Sequence, residues 1–182
     1  MSAGTGMGID LTMVSTGAGN AQLPLGFIHT QPANQDGEGE RTFIYIGTTA
    51  SLAVNTAVER VDGTYDGLIS TTGGAGAAED DLMVGTLFND MTDATLGVLA
   101  GTPRFGFAQR TGNGTALAAA AAVGAFGDTA TTLGTAGDLA VAVLPVAVGE
   151  NGVGTIISPS FQTVLVPPSG IFFLPVKLWC KG

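Results

Sequence analysis

Hydrophobic positions recur at two-residue intervals along much of this chain, the spacing of strands with one covered face rather than of helices. At the amino end Met7, Ile9, Leu11 and Met13 alternate with Gly8, Asp10, Thr12 and Val14, which predicts a half-buried strand or an extended arm. Residues 41–46 (RTFIYI) are apolar on both faces and rich in aromatic and β-branched side chains, as in a strand buried on both sides. Between these lie turn formers at 16–20 (TGAGN), a short apolar run at 23–28 and a polar loop at 31–40.

Asp62-Gly63 separates two β-prone runs, 52–61 and 64–70. Both residues tolerate the positive φ of a type I′ turn, so a two-residue hairpin is expected there. After a low-complexity loop at 71–78, the runs 82–88, 95–100 and 104–109 follow at about ten-residue spacing, the rhythm of an antiparallel barrel or sandwich. In the last of these, Phe105 and Phe107 share one face while Arg104, Ala108 and Arg110 share the other, which predicts an apolar and a cationic side. Residues 116–126 (ALAAAAAVGAF) form the one expected helix, because alanine has the best intrinsic propensity, and Gly124 would end it. Strand patterning returns at 139–148, 155–157, 161–166 and 171–179, with Pro145, Pro159, Pro167, Pro168 and Pro175 confining these runs to edges, bulges or arms. The expected fold is mainly β. It is a single antiparallel β-barrel or β-sandwich domain over residues 1–182, with extended arms at 1–22 and 167–182 and at most one short helix.

Composition narrows the chemistry. The chain has 182 residues, 29 of them Gly, and a formal net charge of −9 at pH 7 from 15 acidic and six basic side chains. Six scattered cations do not neutralise a run of phosphates, so no nucleic-acid partner is expected. The Gly-x-Gly pairs, such as Gly17/Gly19 and Gly112/Gly114, do not extend to the dinucleotide fingerprint, and both lysines, Lys177 and Lys181, lie far from any phosphate-binding loop. His29 is the single imidazole and no nucleophile elbow accompanies it, so no catalytic residue is assigned. Cys180 stands alone, which precludes an internal disulfide. Asp36, Glu38 and Glu40, the run Glu79-Asp80-Asp81, and Asp62 with Asp66 place oxygens in loops without the spacing of a calcium hand, so no metal and no cofactor is expected. The amino end lacks a basic, then apolar, leader, and no run is long and greasy enough to span a bilayer, so synthesis in the cytoplasm without a signal peptide and no membrane association are expected.

Contact chemistry concentrates at the carboxyl end. Val176, Leu178 and Cys180 share one face of an extended strand, and Lys177, Trp179 and Lys181 share the other. A tryptophan between two lysines is an anchor of the kind interfaces use. The competing reading is that the lysine stems cover a tryptophan at the rim of its own core. Phe172 and Phe173 occupy opposite faces, so one of them needs a second apolar surface. With Arg104 and Arg110 from the cationic side of 104–110, the candidate contact residues are Phe172, Phe173, Lys177, Trp179, Arg104 and Arg110.

In being small, β-patterned, acidic, poor in cysteine and heavy in Gly, Ala, Thr and Val, the chain resembles the decoration (cement) proteins and other accessory structural proteins of tailed-phage heads. That resemblance implies a homo-oligomer, commonly a trimer, seated on the major capsid protein lattice at the exterior of the virion. A phage tail-tube or fibre-associated protein shares the composition. A carbohydrate- or calcium-binding surface module is the alternative from a different class.

Overall fold

The computed structural model describes residues 8–33, 39–61, 63–70, 83–118, 129–131, 139–141, 154–156, 161–163 and 171–180. Among them are β1 (Ser15–Thr16), β2 (Ile28–Gln31), β3 (Arg41–Thr48), β4 (Ala57–Glu59), β5 (Ile69–Ser70), β6 (Met83–Leu87), α1 (Asp93–Leu96), β7 (Arg104–Ala118), β8 (Thr129–Thr131), β9 (Ala140–Val141), β10 (Gly154–Ile156), β11 (Phe161–Thr163) and β12 (Ile171–Trp179). The strands join one sheet whose main path runs β5-β4-β6-β7-β12-β10-β8-β9 without closing on itself. The fold is mainly β, antiparallel and sandwich- or barrel-like, with one short helix among the described residues, as the patterning predicts.

The strand β7 organises the sheet. Along one edge it pairs with β3, from Thr48↔Arg104 to Thr42↔Thr111. Arg104, Gln109 and Thr111 each have a second partner, so the opposite edge carries β1, β6 and β12 in turn. Register with β3 steps from Phe43↔Gln109 to Thr42↔Thr111, which leaves Arg110 as the extra residue of a bulge. Just beyond it Gly112 adopts φ 92°, and a Cβ there would press on the Glu40 carbonyl and lie 3.0 Å from Arg41 Cα, so only glycine fits. The buried Gln109 braces the bend, its Nε2 donating to the carbonyls of Asn113 (2.8 Å) and Thr111 (3.3 Å).

β3 is buried on both faces, as its apolar run predicts. Ile44 and Ile46 join an aliphatic cluster with Leu52, Val58, Leu68, Val84, Leu87, Met91 and Ala108. Phe43 and Tyr45 point the other way into an aromatic cluster with Phe105 and Phe107. There Tyr45 meets Phe107 edge-on and Phe43 meets Phe88 likewise, each with ring centroids 5.1 Å apart, an arrangement the ring quadrupoles favour. The amino-terminal segment covers this cluster with Ile9, Leu11, Met13, Leu23, Leu25 and Phe27. Tyr45 keeps its hydroxyl satisfied by accepting the Gln22 N–H at 3.1 Å.

Several expectations are corrected. The alternation does place Ile9, Leu11 and Met13 inward, yet residues 8–13 are not a strand, and Met7 lies outside the described residues. Asp10 captures both the N–H (2.9 Å) and the hydroxyl (2.6 Å) of Thr12, a local turn that competes with the ladder, and regular pairing begins only at β1. The hairpin around Asp62-Gly63 exists as β4 paired with β5, Val58↔Ser70 and Glu59↔Ile69, but a long loop replaces the two-residue turn. That loop is drawn down by the burial of Leu68 and by hydrogen bonds from the Gly47 N–H to the Tyr65 carbonyl and from the Leu68 N–H to the Gly47 carbonyl. Residues 95–100 are not a strand: Thr92 caps α1 by accepting the Thr95 N–H, and Gly97 ends it at φ 64°. The helix expected at 116–126 begins instead as strand, with Ala116, Leu117 and Ala118 opposite Leu174, Phe173 and Phe172, so ladder pairing overrides alanine's propensity; residues 119–126 lie outside the described residues.

The segment expected as a carboxyl-terminal arm contains an interior strand. β12 pairs with β7 over eight residue pairs and carries β10 and β11 on its other edge. Pro175 is accommodated because the Cys180 N–H points to the Arg110 carbonyl, and strand alternation then turns the nitrogen of Pro175 to the far edge. On that edge, among the described residues, β10 pairs with 176–178 and β11 with 171–173, so Pro175 interrupts neither of these ladders.

Candidate functional site

Arg104 is not a contact residue. Its side chain is wholly enclosed, with Nη1 donating to the Met91 carbonyl (2.7 Å), Nε to the Thr102 carbonyl (3.1 Å) and Nη2 to Asp93 Oδ1 (2.7 Å). The cationic side expected for 104–110 therefore faces inward at Arg104, where one guanidinium fastens the start of β7 to the loop before α1. The delocalised, five-donor fork suits this task because it meets several acceptors in one plane. Arg110 is half-buried and its Nε donates to the Cys180 carbonyl at 3.3 Å, tying the bulge of β7 to the end of β12.

Around Arg104 lies a polar cluster that the patterning did not bring forward. Asp90 Oδ1 accepts the Thr92 N–H at 3.0 Å and Oδ2 accepts the Thr95 hydroxyl at 2.8 Å, while the Asp93 N–H donates to Ser51 Oγ at 2.9 Å. Thr92, Asp93 and Gly97 are spaced as helix start and stop signals, and that spacing was the available clue. Burial raises the Asp90 carboxyl, but the hydrogen bonds from Thr92 and Thr95 outweigh it and hold the group below its ordinary value of 3.8. At Asp10 the Thr12 hydroxyl and then the Thr12 N–H lower the carboxyl in the same sense.

A depressed folded-state value has a definite sign. The stabilisation is complete above the unfolded value of 3.8 and is lost as pH falls through the lower folded value. Asp90→Ala is therefore expected to be less stable than the parent near neutral pH, with the gap narrowing as the pH drops below 3.8 and through the lower folded value. Urea midpoints of the two proteins across that range check it, and a constant gap would remove Asp90 as the titrating group.

Asn89 performs a related structural task, its Nδ2 donating to the Leu11 carbonyl (2.9 Å) and its Oδ1 accepting the Phe107 N–H (2.6 Å). One amide thus fixes the amino-terminal cover to β7. His29 lies half-buried on β2 opposite Phe43. Glu40 and Asp66 are exposed; Asp36, Glu38, Asp62 and 79–81 lie outside the described residues. Among the described residues no group of three or more His, Cys, Asp or Glu side chains could hold a metal ion, and no helix is long and apolar enough to cross a membrane.

β12 presents the alternation expected at the carboxyl end. Val176, Leu178 and Cys180 are buried, whereas Lys177 and Trp179 are exposed, the indole at 40%. Trp179 stands opposite Thr111 and Lys177 opposite Asn113, so a half-buried hydroxyl and amide of β7 adjoin the tryptophan and the lysine on the same face. β12 is paired on both edges from Val176 to Leu178 and with β7 at Trp179, which sets the spacing of the row. Phe172 and Phe173 are consecutive on β12, opposite Ala118 and Leu117 of β7 and Gln162 and Phe161 of β11; their side chains lie outside the described residues.

Of the six candidates, then, Lys177 and Trp179 are exposed side by side on one face of β12, Arg110 is tied to the end of that strand, and Arg104 is interior. The row can offer an apolar ring, hydrogen bonds from an amide and a hydroxyl, and one positive charge. No protein-family model, no curated protein and no solved structure matches this chain.

Proposed function

We propose that this chain is a structural component of an assembly, decorating and stabilising a phage capsid through contacts with its own copies and with the major capsid protein. The observation that carries the reading is the exposed Trp179–Lys177 row on an interior strand. An aromatic ring and a cation held at fixed spacing lose little conformational entropy on contact, which is what an interface anchor requires.

The interior polar chemistry supports the same reading. Arg104, Asp93 and Asn89 each spend their hydrogen bonds on fastening one segment of the chain to another, and Gln109 braces the bend within β7. A body braced in this way transmits load across its sheet, as a shell component must. A specific contact of ordinary size buries about 800 Å² per partner, and many copies on one shell add through avidity. The acidic exterior keeps decorated particles from adhering to one another.

Electron cryomicroscopy of particles from cells producing a tagged form of the chain tests the proposal. Regular density for the protein on the outer shell is expected. Confinement of the tag to tail structures would move it to the tail or fibre reading, and a compact monomer without affinity for any particle would overturn the assembly role.

A further inference from the structure

The charge distribution says which face copies of this chain present to one another, granted the assembly reading above. Fifteen acidic side chains stand against six basic ones. The four arginines are engaged within the fold. Arg41 donates to Gln31 (3.0 Å) and lies over Phe43, Arg60 donates to the Gly63 carbonyl (3.2 Å) and lies over Tyr65, Arg104 pairs with Asp93, and Arg110 holds the Cys180 carbonyl. Lys181 lies outside the described residues. Among the described residues, Lys177 is thus the cation left for an external partner, and it sits beside Trp179 on a strand fixed at both edges.

Two copies that each carry a net charge of −9 repel in most orientations. The repulsion is relieved where the lysine of one copy meets carboxylates of the next. We infer that the Lys177–Trp179 row, with Thr111 and Asn113 beside it, receives a carboxylate-bearing surface of a second copy of this chain. The ammonium pairs with the carboxylate while the indole covers the contact and excludes water.

The row itself holds no carboxylate: its members are Thr111, Asn113, Lys177 and Trp179. The anionic half of the contact consequently comes from a different part of the neighbour. Met reciprocally, such a contact makes a two-fold pair; repeated head to tail, it makes a ring where the rotation closes.

The full chain tests this directly. A zero-length carboxyl–amine coupling reagent is applied to mixed isotope-labelled and unlabelled protein, and linked peptides are identified by mass; joining of Lys177 of one copy to an Asp or Glu of another is expected. By sedimentation, Lys177→Glu and Trp179→Ala should each weaken self-association about 10- to 100-fold, whereas Lys177→Arg should retain it. Both altered side chains are exposed, and an unchanged circular dichroism spectrum confirms that each variant folds. A parent protein that stays monomeric at high concentration, a two-fold dimer lacking those cross-links, or a Lys177→Glu variant that associates like the parent would overturn the inference. Normal self-association with lost particle binding would overturn it too, because the row would then face the shell, and it would leave the capsid reading standing. Association through Lys177 without affinity for any particle would instead sink the capsid reading alone.

Discussion

Replacing Arg104 with alanine is expected to lower the unfolding free energy by about 3 kcal/mol, one of the two largest single-residue losses in this chain. The guanidinium is wholly buried and joins the first residue of β7 to the Met91 and Thr102 carbonyls and to Asp93. Truncation takes the charged donor from the Met91 and Thr102 carbonyls, at about 1–3 kcal/mol for each acceptor left short before relaxation, and leaves a void, although the Met91 carbonyl keeps the Leu52 N–H at 3.4 Å. The stranded Asp93 adds less, since it is 35% exposed and can hydrate. Asp93→Ala offers a converse test, because it leaves an enclosed guanidinium without its counter-charge, and a comparable loss is expected. Arg104→Lys should recover only part of the difference, as a single ammonium does not span the same acceptors. Urea unfolding with an unchanged slope measures each change, and a loss below about 1 kcal/mol for Arg104→Ala would mean that the clasp is dispensable.

Phe107→Ala is expected to cost about 4 kcal/mol, within the usual range for emptying a buried aromatic site. Phe107 has no exposed surface, stacks edge-on against Tyr45 and gives its N–H to Asn89. The amino-terminal cover rests on this cluster and on the Asn89 bond to Leu11. Loss of the ring should therefore speed amide exchange across residues 9–27 more than across β4 and β6, which pack on the aliphatic side. Uniform acceleration would instead mean that the two clusters open as one unit. Ile46→Val, on the aliphatic side, removes a single methylene and should cost only about 1 kcal/mol.

The parts of the fold legible in the residues are those where covering decides the pattern. RTFIYI reads as a doubly buried strand because both of its faces are apolar, and β3 is that strand. Likewise the alternation through 176–180 sorts buried Val176, Leu178 and Cys180 from exposed Lys177 and Trp179. Legibility ends where partners distant in sequence make the choice. Nothing local to 116–118 says that β12 will arrive to pair with it, so alanine's preference points to helix. Arg104 reads as a surface cation because burying one is costly, and only the convergence of Asp93 and three segments' carbonyls around it reverses that balance. Asp62-Gly63 marks the right two strands but the wrong register and loop, because Leu68 gains more by joining the aliphatic cluster than by lying in a tight hairpin.

The pairing of β7 with β12 also sets a schedule for biosynthesis. β12 ends 61 residues after β7, so a ribosome adding ~5–20 residues per second completes the second about 3–12 s after the first. Throughout that interval the distal half of β7 has an unsatisfied edge while its proximal half can already lie against β3. The waiting stretch is TGNGTALA, low in aromatic and β-branched side chains, and is a poor template for joining another nascent chain. Stickier side chains in that half-strand would jeopardise the seconds before the finished molecule exists.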